Sequence, residues 1–277
     1  MTAEHPARPE EPEALRSGGH YVQSLARGLA VIAAFDAENP SMTLSDVARR
    51  TGLTRATARR FLLTLEELGY VRSDGRRFEL TAKVLQLGYS YLSALSLPEL
   101  AAPHLRALSA TVQESCSIAV LEGPDIVYVA RVQMRHIMNV AISVGTRFPA
   151  HATSMGRVLL AGLPDDEVLA LCGEQLRTPL SARTVSTPDQ LISRLREVRE
   201  QGYAVVDQEL EPGLRSVAVP LEDAAGRTVA AVNVSMRVGA SPAAEDPGRL
   251  ILPHLRACAS AIHEDLVRAP SGSGPAR

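Results

Sequence analysis

The chain has 277 residues, 45% of them hydrophobic, and 29 Lys+Arg against 31 Asp+Glu give a formal net charge of −2. That length suits two modest domains with a real core, and no apolar run approaches the roughly 20 residues needed to span a bilayer. Three isolated cysteines, Cys116, Cys172 and Cys258, form no C-x-x-C pair and have no histidine cluster beside them. This excludes a disulfide scaffold and a structural zinc site, predicts no metal and no cofactor, and fits free thiols in a reducing cytoplasm.

Residues 1–19 are rich in Pro, Glu and Ala and lack a basic stretch followed by an apolar one, so they read as a disordered arm and not a secretory signal. A first domain is expected over 20–80. It opens with a helix over 24–37 whose core face is supplied by Leu25, Leu29, Ile32 and Ala33, with Phe35 following. Thr43 caps a second helix with Leu44, Val47 and Ala48 inward, and Gly52 is placed to end it in a left-handed turn. Thr54 is the N-cap of a third helix, in which Ala58, Phe61, Leu62, Leu65 and Leu68 recur at helical spacing. Arg55, Thr57, Arg59 and Arg60 fall on its other side, where arginine could bond guanine bidentately and threonine touch a thymine methyl.

Two strands follow, 71–73 and 77–80, flanking Asp74-Gly75, a dipeptide suited to a two-residue hairpin turn. Arg72, Arg76 and Arg77 would then stand on a wing facing phosphates. The pattern is a winged helix-turn-helix, whose chemistry is binding of double-stranded DNA. Each piece alone is common, since exposed arginines on a helix are usually just a solvated face. The charge distribution favours the combined reading. Residues 43–83 hold nine Lys+Arg against five Asp+Glu, a local +4 within a chain of −2. Lys83 is the single lysine; every other basic residue is arginine.

Residues 81–97 read as a linker helix capped by Thr81 and apolar around much of its circumference through Val84, Leu85, Leu87, Tyr91 and Leu92. Such a helix needs partners, so it is also a candidate dimer contact. From 98 to 268 helices alternate with strands. Helix 100–113 precedes strands 116–121, 126–132 and 137–144. Thr153 or Ser154 caps an apolar helix to 161, Pro164 starts a short helix, and Thr187-Pro188 opens one to 201. Strands 203–209, 214–221 and 228–236 follow, and Asp246-Pro247 opens a last helix to 267. This is α+β, a mostly antiparallel sheet with flanking helices, like a GAF or PAS ligand-sensing domain. Residues 269–277 read as a disordered tail.

The segments GTRFPAHATSMGRVLLA (145–161) and GYAVVDQELEPGLRSVAVP (202–220), with the helix-turn-helix over 43–71, are similar to the IclR family of bacterial transcription factors. The resemblance covers about 21–266. The wording of 147–155 and 206–210 is most similar to the branch regulating aromatic-acid catabolism through the β-ketoadipate pathway. It implies a winged helix-turn-helix, a linker helix and an effector domain, in dimers, often paired into tetramers, on palindromic operators. It implies an effector pocket against the sheet that includes Ala152, Thr153, Ser154, Met155, Gly156, Asp207, Ser216, Asn233 and Ser235.

The residue types are compatible with a small carboxylic acid. His151, Thr153 and Ser154 precede a helix, whose first N–H groups favour an anion. Asp207, Ser216, Asn233 and Ser235 are polar positions in apolar strands. The plainer alternative stays open at each position: Thr153 and Ser154 only cap, His151 is a core histidine, Asp207 bonds a loop. Arg147 and Arg215 are carboxylate partners or structural. Two rival functions also stand: an enzyme with Cys116 or Cys172 as nucleophile and His151 as base, and a thiol-based redox regulator on the same fold.

Overall fold

A computed structural model of the chain describes residues 21–36, 38–87, 97–134, 142–223, 225–240 and 242–268. It divides into two compact units, one ending at Tyr91 and one beginning at Leu92. The arm and tail expected at the two ends lie outside the described residues. No helix among the described residues is long and apolar enough to cross a membrane, and no cluster of three or more metal-ligating side chains occurs among them.

The first unit runs α1 (Gln23–Ala33), β1 (Ser41–Thr43), α2 (Leu44–Thr51), α3 (Arg55–Glu67), β2 (Val71–Ser73) and β3 (Arg77–Leu80). Thr43 and Asp46 form a capping box on α2, and Thr54 accepts the Thr57 N–H at the start of α3. Gly52 ends α2 at φ 67°, a conformation that only glycine adopts without strain. The strands form an antiparallel sheet in the order β1-β3-β2. β1 was not foreseen: three residues leave no periodicity to read.

Three local expectations are corrected. Leu25 and Leu29 are 62% and 52% exposed; α1 buries Val31, with Ile32 against the same core, and Ala34 and the expected Phe35 are buried just past its end. It meets α2 and α3 through its C-terminal end, and the chain then turns at Asp36, whose carboxylate accepts the Glu38 and Asn39 N–H groups. Leu68 is also exposed, because α3 ends one residue earlier. The wing loop spans Asp74, Gly75 and Arg76, not two residues. The Asp74 carboxylate accepts the N–H groups of both Arg76 and Arg77, which widens the turn.

Beyond the wing Thr81 caps a short 3-10 turn, Ala82–Val84. There Lys83 Nζ donates to the Leu68 carbonyl at 2.8 Å and lies 5.2 Å from the Tyr70 ring centre. Most of the expected linker helix, residues 88–96, lies outside the described residues.

The second unit contains α4 (Leu97–Val112), β4 (Ser115–Glu122), β5 (Asp125–Val132), β6 (Arg147–Pro149), α5 (Ser154–Ala161), α6 (Asp165–Cys172), α7 (Pro188–Gln201), β7 (Ala204–Asp207), β8 (Leu214–Glu222), β9 (Thr228–Arg237), α8 (Pro242–Glu245), α9 (Pro247–Leu250) and α10 (Leu252–Arg268). Six strands form one antiparallel sheet in the order β6-β5-β4-β9-β8-β7. One face packs Cys116, Ile118, Val217, Val219, Val232 and Val234 against α4 and α10. The other meets α5, which is packed in turn against α7. The last helix is broken at Ile251, because Pro253 has no N–H and its ring obstructs the preceding turn. The strand expected over 137–144 falls mostly outside the described residues, and Ile142–Val144 is not extended into one.

Candidate functional site

In the first unit α3 presents Arg55, Arg59 and Arg60 to solvent, with Thr57 half-buried beside them. The hydroxyls of Thr43 and Thr54 are engaged as N-caps. A cleft between α3 and the wing is lined by Thr43, Arg55, Arg59 and Arg76 among others. The wing arginines are not equivalent. Arg72 is paired with Glu79 at 2.7 Å, and Arg77 donates from Nε to Ser41 Oγ at 3.0 Å, tying β3 to β1. Arg76 stands exposed at the tip with no ion pair among the described residues. The N–H groups of Arg77 and Arg76 hold the Asp74 carboxyl below its ordinary range, so it stays anionic while serving the turn.

In the second unit the register across β5, β4, β9, β8 and β7 orders the inner sheet face into rows. One row is Ser115, Ser235, Ser216 and Val206. The next is Arg131, Ser117, Asn233, Ala218 and Ala204, and a third is Tyr128, Ala119, Ala231 and Pro220. The alanines are small, and α5 packs directly on them. The serine and asparagine positions lie past the start of α5. At that boundary Tyr128, Ala152, Thr153, Val206, Leu210, Leu214, Ser216, Asn233 and Ser235 enclose a narrow cavity with space for about one water molecule.

The sequence-selected residues therefore divide. Ala152, Thr153, Ser216, Asn233 and Ser235 meet at the cavity. Thr153 is the N-cap of α5, accepting the Gly156 N–H at 3.0 Å. Ser154 is buried with its Oγ unpartnered. Met155 belongs to the core beneath α5, and a side chain on Gly156 would collide with the Ala150 backbone, its Cβ 2.1 Å from the carbonyl oxygen. His151 is buried, and burial pushes its pKa down against the opposing effect of the Gln175 side chain. Asp207 is not at the cavity. Period-two alternation turns it away from Val206, and it binds Arg215 Nε at 2.9 Å and also Arg183. Arg147 pairs with Glu122 and Asp125, and neither Arg147 nor Arg215 lines the cavity.

Sequence reasoning missed Tyr128, Leu210 and Leu214, and also the brace behind them. Arg157 and Glu209 form a buried ion pair at 2.6 Å, their side chains 3% and 10% exposed. Arg157 Nε also donates to the His151 carbonyl, and Glu209 accepts the Val185 N–H. Burial lowers the Arg157 pKa and the Glu209 carboxylate opposes that shift. The pair ties the start of α5 to the loop carrying Leu210. Burial pushes the Cys116 thiol far up and those of Cys172 and Cys258 to about 11, the reverse of an activated thiolate.

Two family profiles match the chain: the IclR helix-turn-helix domain over residues 24–75 and the bacterial transcriptional regulator IclR C-terminal domain over 89–264. The Pca regulon regulatory protein of Pseudomonas putida is 46% identical over 220 residues, 79% of this chain and 76% of that protein. The p-hydroxybenzoate hydroxylase transcriptional activator of Acinetobacter baylyi is 37% identical, covering 82% of this chain and 85% of that one. Among solved structures, a transcriptional regulator from Rhodococcus sp. RHA1 superposes with TM-score 0.79 at 58% identity, over 89% of this chain and 98% of the other. An IclR homolog from Microbacterium hydrocarbonoxydans complexed with 4-hydroxybenzoate gives TM-score 0.74 at 27% identity, over 88% and 98%.

Proposed function

The chain belongs to the IclR family of bacterial transcriptional regulators, and from that premise we propose that it controls genes of aromatic-acid catabolism in response to a small carboxylic acid. The first unit binds double-stranded DNA, reading an operator with Arg55 and Arg59 and holding phosphate with Arg76. The second binds the acid between the start of α5 and the polar rows of the sheet. The operator is palindromic and the protein a homodimer or a dimer of dimers. The acid acts by binding two states of that assembly unequally, since equal binding would shift nothing.

One observation carries the effector assignment: small polar side chains interrupt an apolar sheet face just where a helix begins. Polar groups there are costly to bury unless something bonds them. The relatives named for Pca and p-hydroxybenzoate regulation, and the homolog holding 4-hydroxybenzoate, support an acid of that class. In this reading the chain is a regulator and not an enzyme, and its buried thiols carry no chemistry.

Calorimetry with protocatechuate, 4-hydroxybenzoate and β-ketoadipate tests this. One of them is expected to bind, and a Thr153→Ala/Ser216→Ala double variant to bind it more weakly while its operator affinity without acid is kept. Equal binding by wild type and the double variant would place the pocket elsewhere.

A further inference from the structure

Tyr128 and Arg131 are three residues apart on β5, so a regular strand would point them to opposite faces. The register shows why they share one. Ser117 pairs with Arg131 and Ile118 with Ala130, but Ala119 pairs with Tyr128, leaving Val129 as an extra residue. This is a β-bulge, a device that re-aims a side chain. Val129 and Ala130 are both buried in the core on the face packed against α4 and α10, as one extra residue requires. Arg131 is thereby turned onto the polar face, where its Nη1 donates to Ser117 Oγ at 3.0 Å.

Its surroundings are unfinished. Arg131 Nε is buried without a partner, and so is Oδ1 of Asn233, which stands opposite Ser117 and is 3% exposed. The buried Arg157 has Glu209 as its carboxylate, and Arg215, half-buried like Arg131, has Asp207. No carboxylate pairs with Arg131 among the described residues, and residues 135–141 contain no Asp or Glu. A cation half-removed from water and left unpaired is costly. Arginine stays charged under such burial and presents a fork that fits a carboxylate.

We propose that Arg131 is the carboxylate anchor of the effector site, which makes the ligand two-ended. The acid group lies on Arg131 and Ser117, the body on Tyr128, and a second hydrogen-bonding group reaches Asn233 and the Thr153–Ser216 end. Ser117 and Ser216 are two strands apart and one row apart along them, about 12 Å. Once hydrogen bonds are made at both ends, that span suits a para-hydroxylated benzoate or a six-carbon diacid. The assignment rests on the effector-site reading above and specifies which end of that site selects the charge.

The test is calorimetry on the full chain with 4-hydroxybenzoate and protocatechuate, each compared with its carboxamide. Arg131→Met is expected to lower acid affinity roughly 10- to 100-fold and amide affinity by less than about threefold, erasing the preference for acid. Thr153→Ala/Ser216→Ala is expected to weaken acid and amide alike and keep the preference. Arg131→Lys, which keeps the charge but not the fork, covers the case of a misfolded methionine variant. It should lose acid affinity at least about fivefold with an unchanged melting temperature. Acid preference intact in the Arg131 variants overturns the anchor and leaves the effector site standing. A wild type that binds neither of these acids nor β-ketoadipate overturns both.

Discussion

Arg55 and Arg59 line the exposed cleft from α3, and Arg76 lines it from the wing tip. A base contact and a phosphate contact differ in what their loss does. Arg55→Ala or Arg59→Ala is expected to cost about 1–3 kcal/mol at the preferred operator and to relax the preference at one position. Arg76→Ala should weaken binding to all sequences and reduce the salt slope by about one. Fluorescence anisotropy across a salt series separates the two. Specific affinity unchanged in both helix variants would remove α3 from the groove. Behind the effector cavity, Glu209→Gln leaves the Arg157 guanidinium buried without its charge partner. Removing one partner of a buried pair costs about 3–5 kcal/mol, while replacing both by apolar residues is often near neutral. Urea denaturation should therefore find Glu209→Gln clearly less stable than the double variant Arg157→Met/Glu209→Leu.

Among the elements, α5 is the most constrained. Its first turn rides on the Ala150–Ala152 turn, and Gly156 is the point of contact. Gly156→Ala has to separate the two, so it should destabilise the second unit by at least the 1–3 kcal/mol typical of overpacking. Ligand affinity should fall with it, because the Thr153 cap and the cavity wall move together; calorimetry and thermal melting on one preparation check this. Elements of this kind were legible from sequence because they carry local signals. Thr43, Gly52, Thr54 and Thr187 mark helix ends, and apolar runs either side of the turns at 123–125 and 223–226 mark β4, β5, β8 and β9. The site was legible only in part. Ser216, Asn233 and Ser235 were visible as polar interruptions, but Arg131 was hidden by a bulge that no local pattern announces. Asp207 looked equivalent to Ser216 until the pairing of β7 with β8 placed it on the opposite face with Arg215. Leu25 and Leu29 have the right period for a buried face, yet period alone does not say which part of a helix meets its neighbours.

For the whole molecule, Leu25 and Leu29 are exposed one turn apart on α1, with Val22 exposed at its N-cap, and Leu85 and Leu87 are exposed just beyond the wing. Apolar side chains grouped in this way are expected to be covered by a second chain. Sedimentation at micromolar concentration should give at least a dimer, and the operator should then show two-fold symmetry. A monomer that still binds its operator tightly would contradict both expectations.

Lys83 gives the molecule an unusual chemical address. It is the single lysine in the chain, and it lies eight residues before the boundary between the units at Tyr91 and Leu92. A lysine-specific protease therefore has one substrate bond, between Lys83 and Val84. Complete digestion should yield two fragments, residues 1–83 carrying the winged helix-turn-helix and 84–277 carrying the effector domain. The hydrogen bond from Lys83 to Leu68 and its seat on Tyr70 should make native cleavage slow, and Tyr70→Ala should speed it. The larger fragment is expected to keep its affinity for the acid after the operator-binding half has been removed. More than two products in mass spectrometry would mean that cleavage had occurred somewhere other than at lysine.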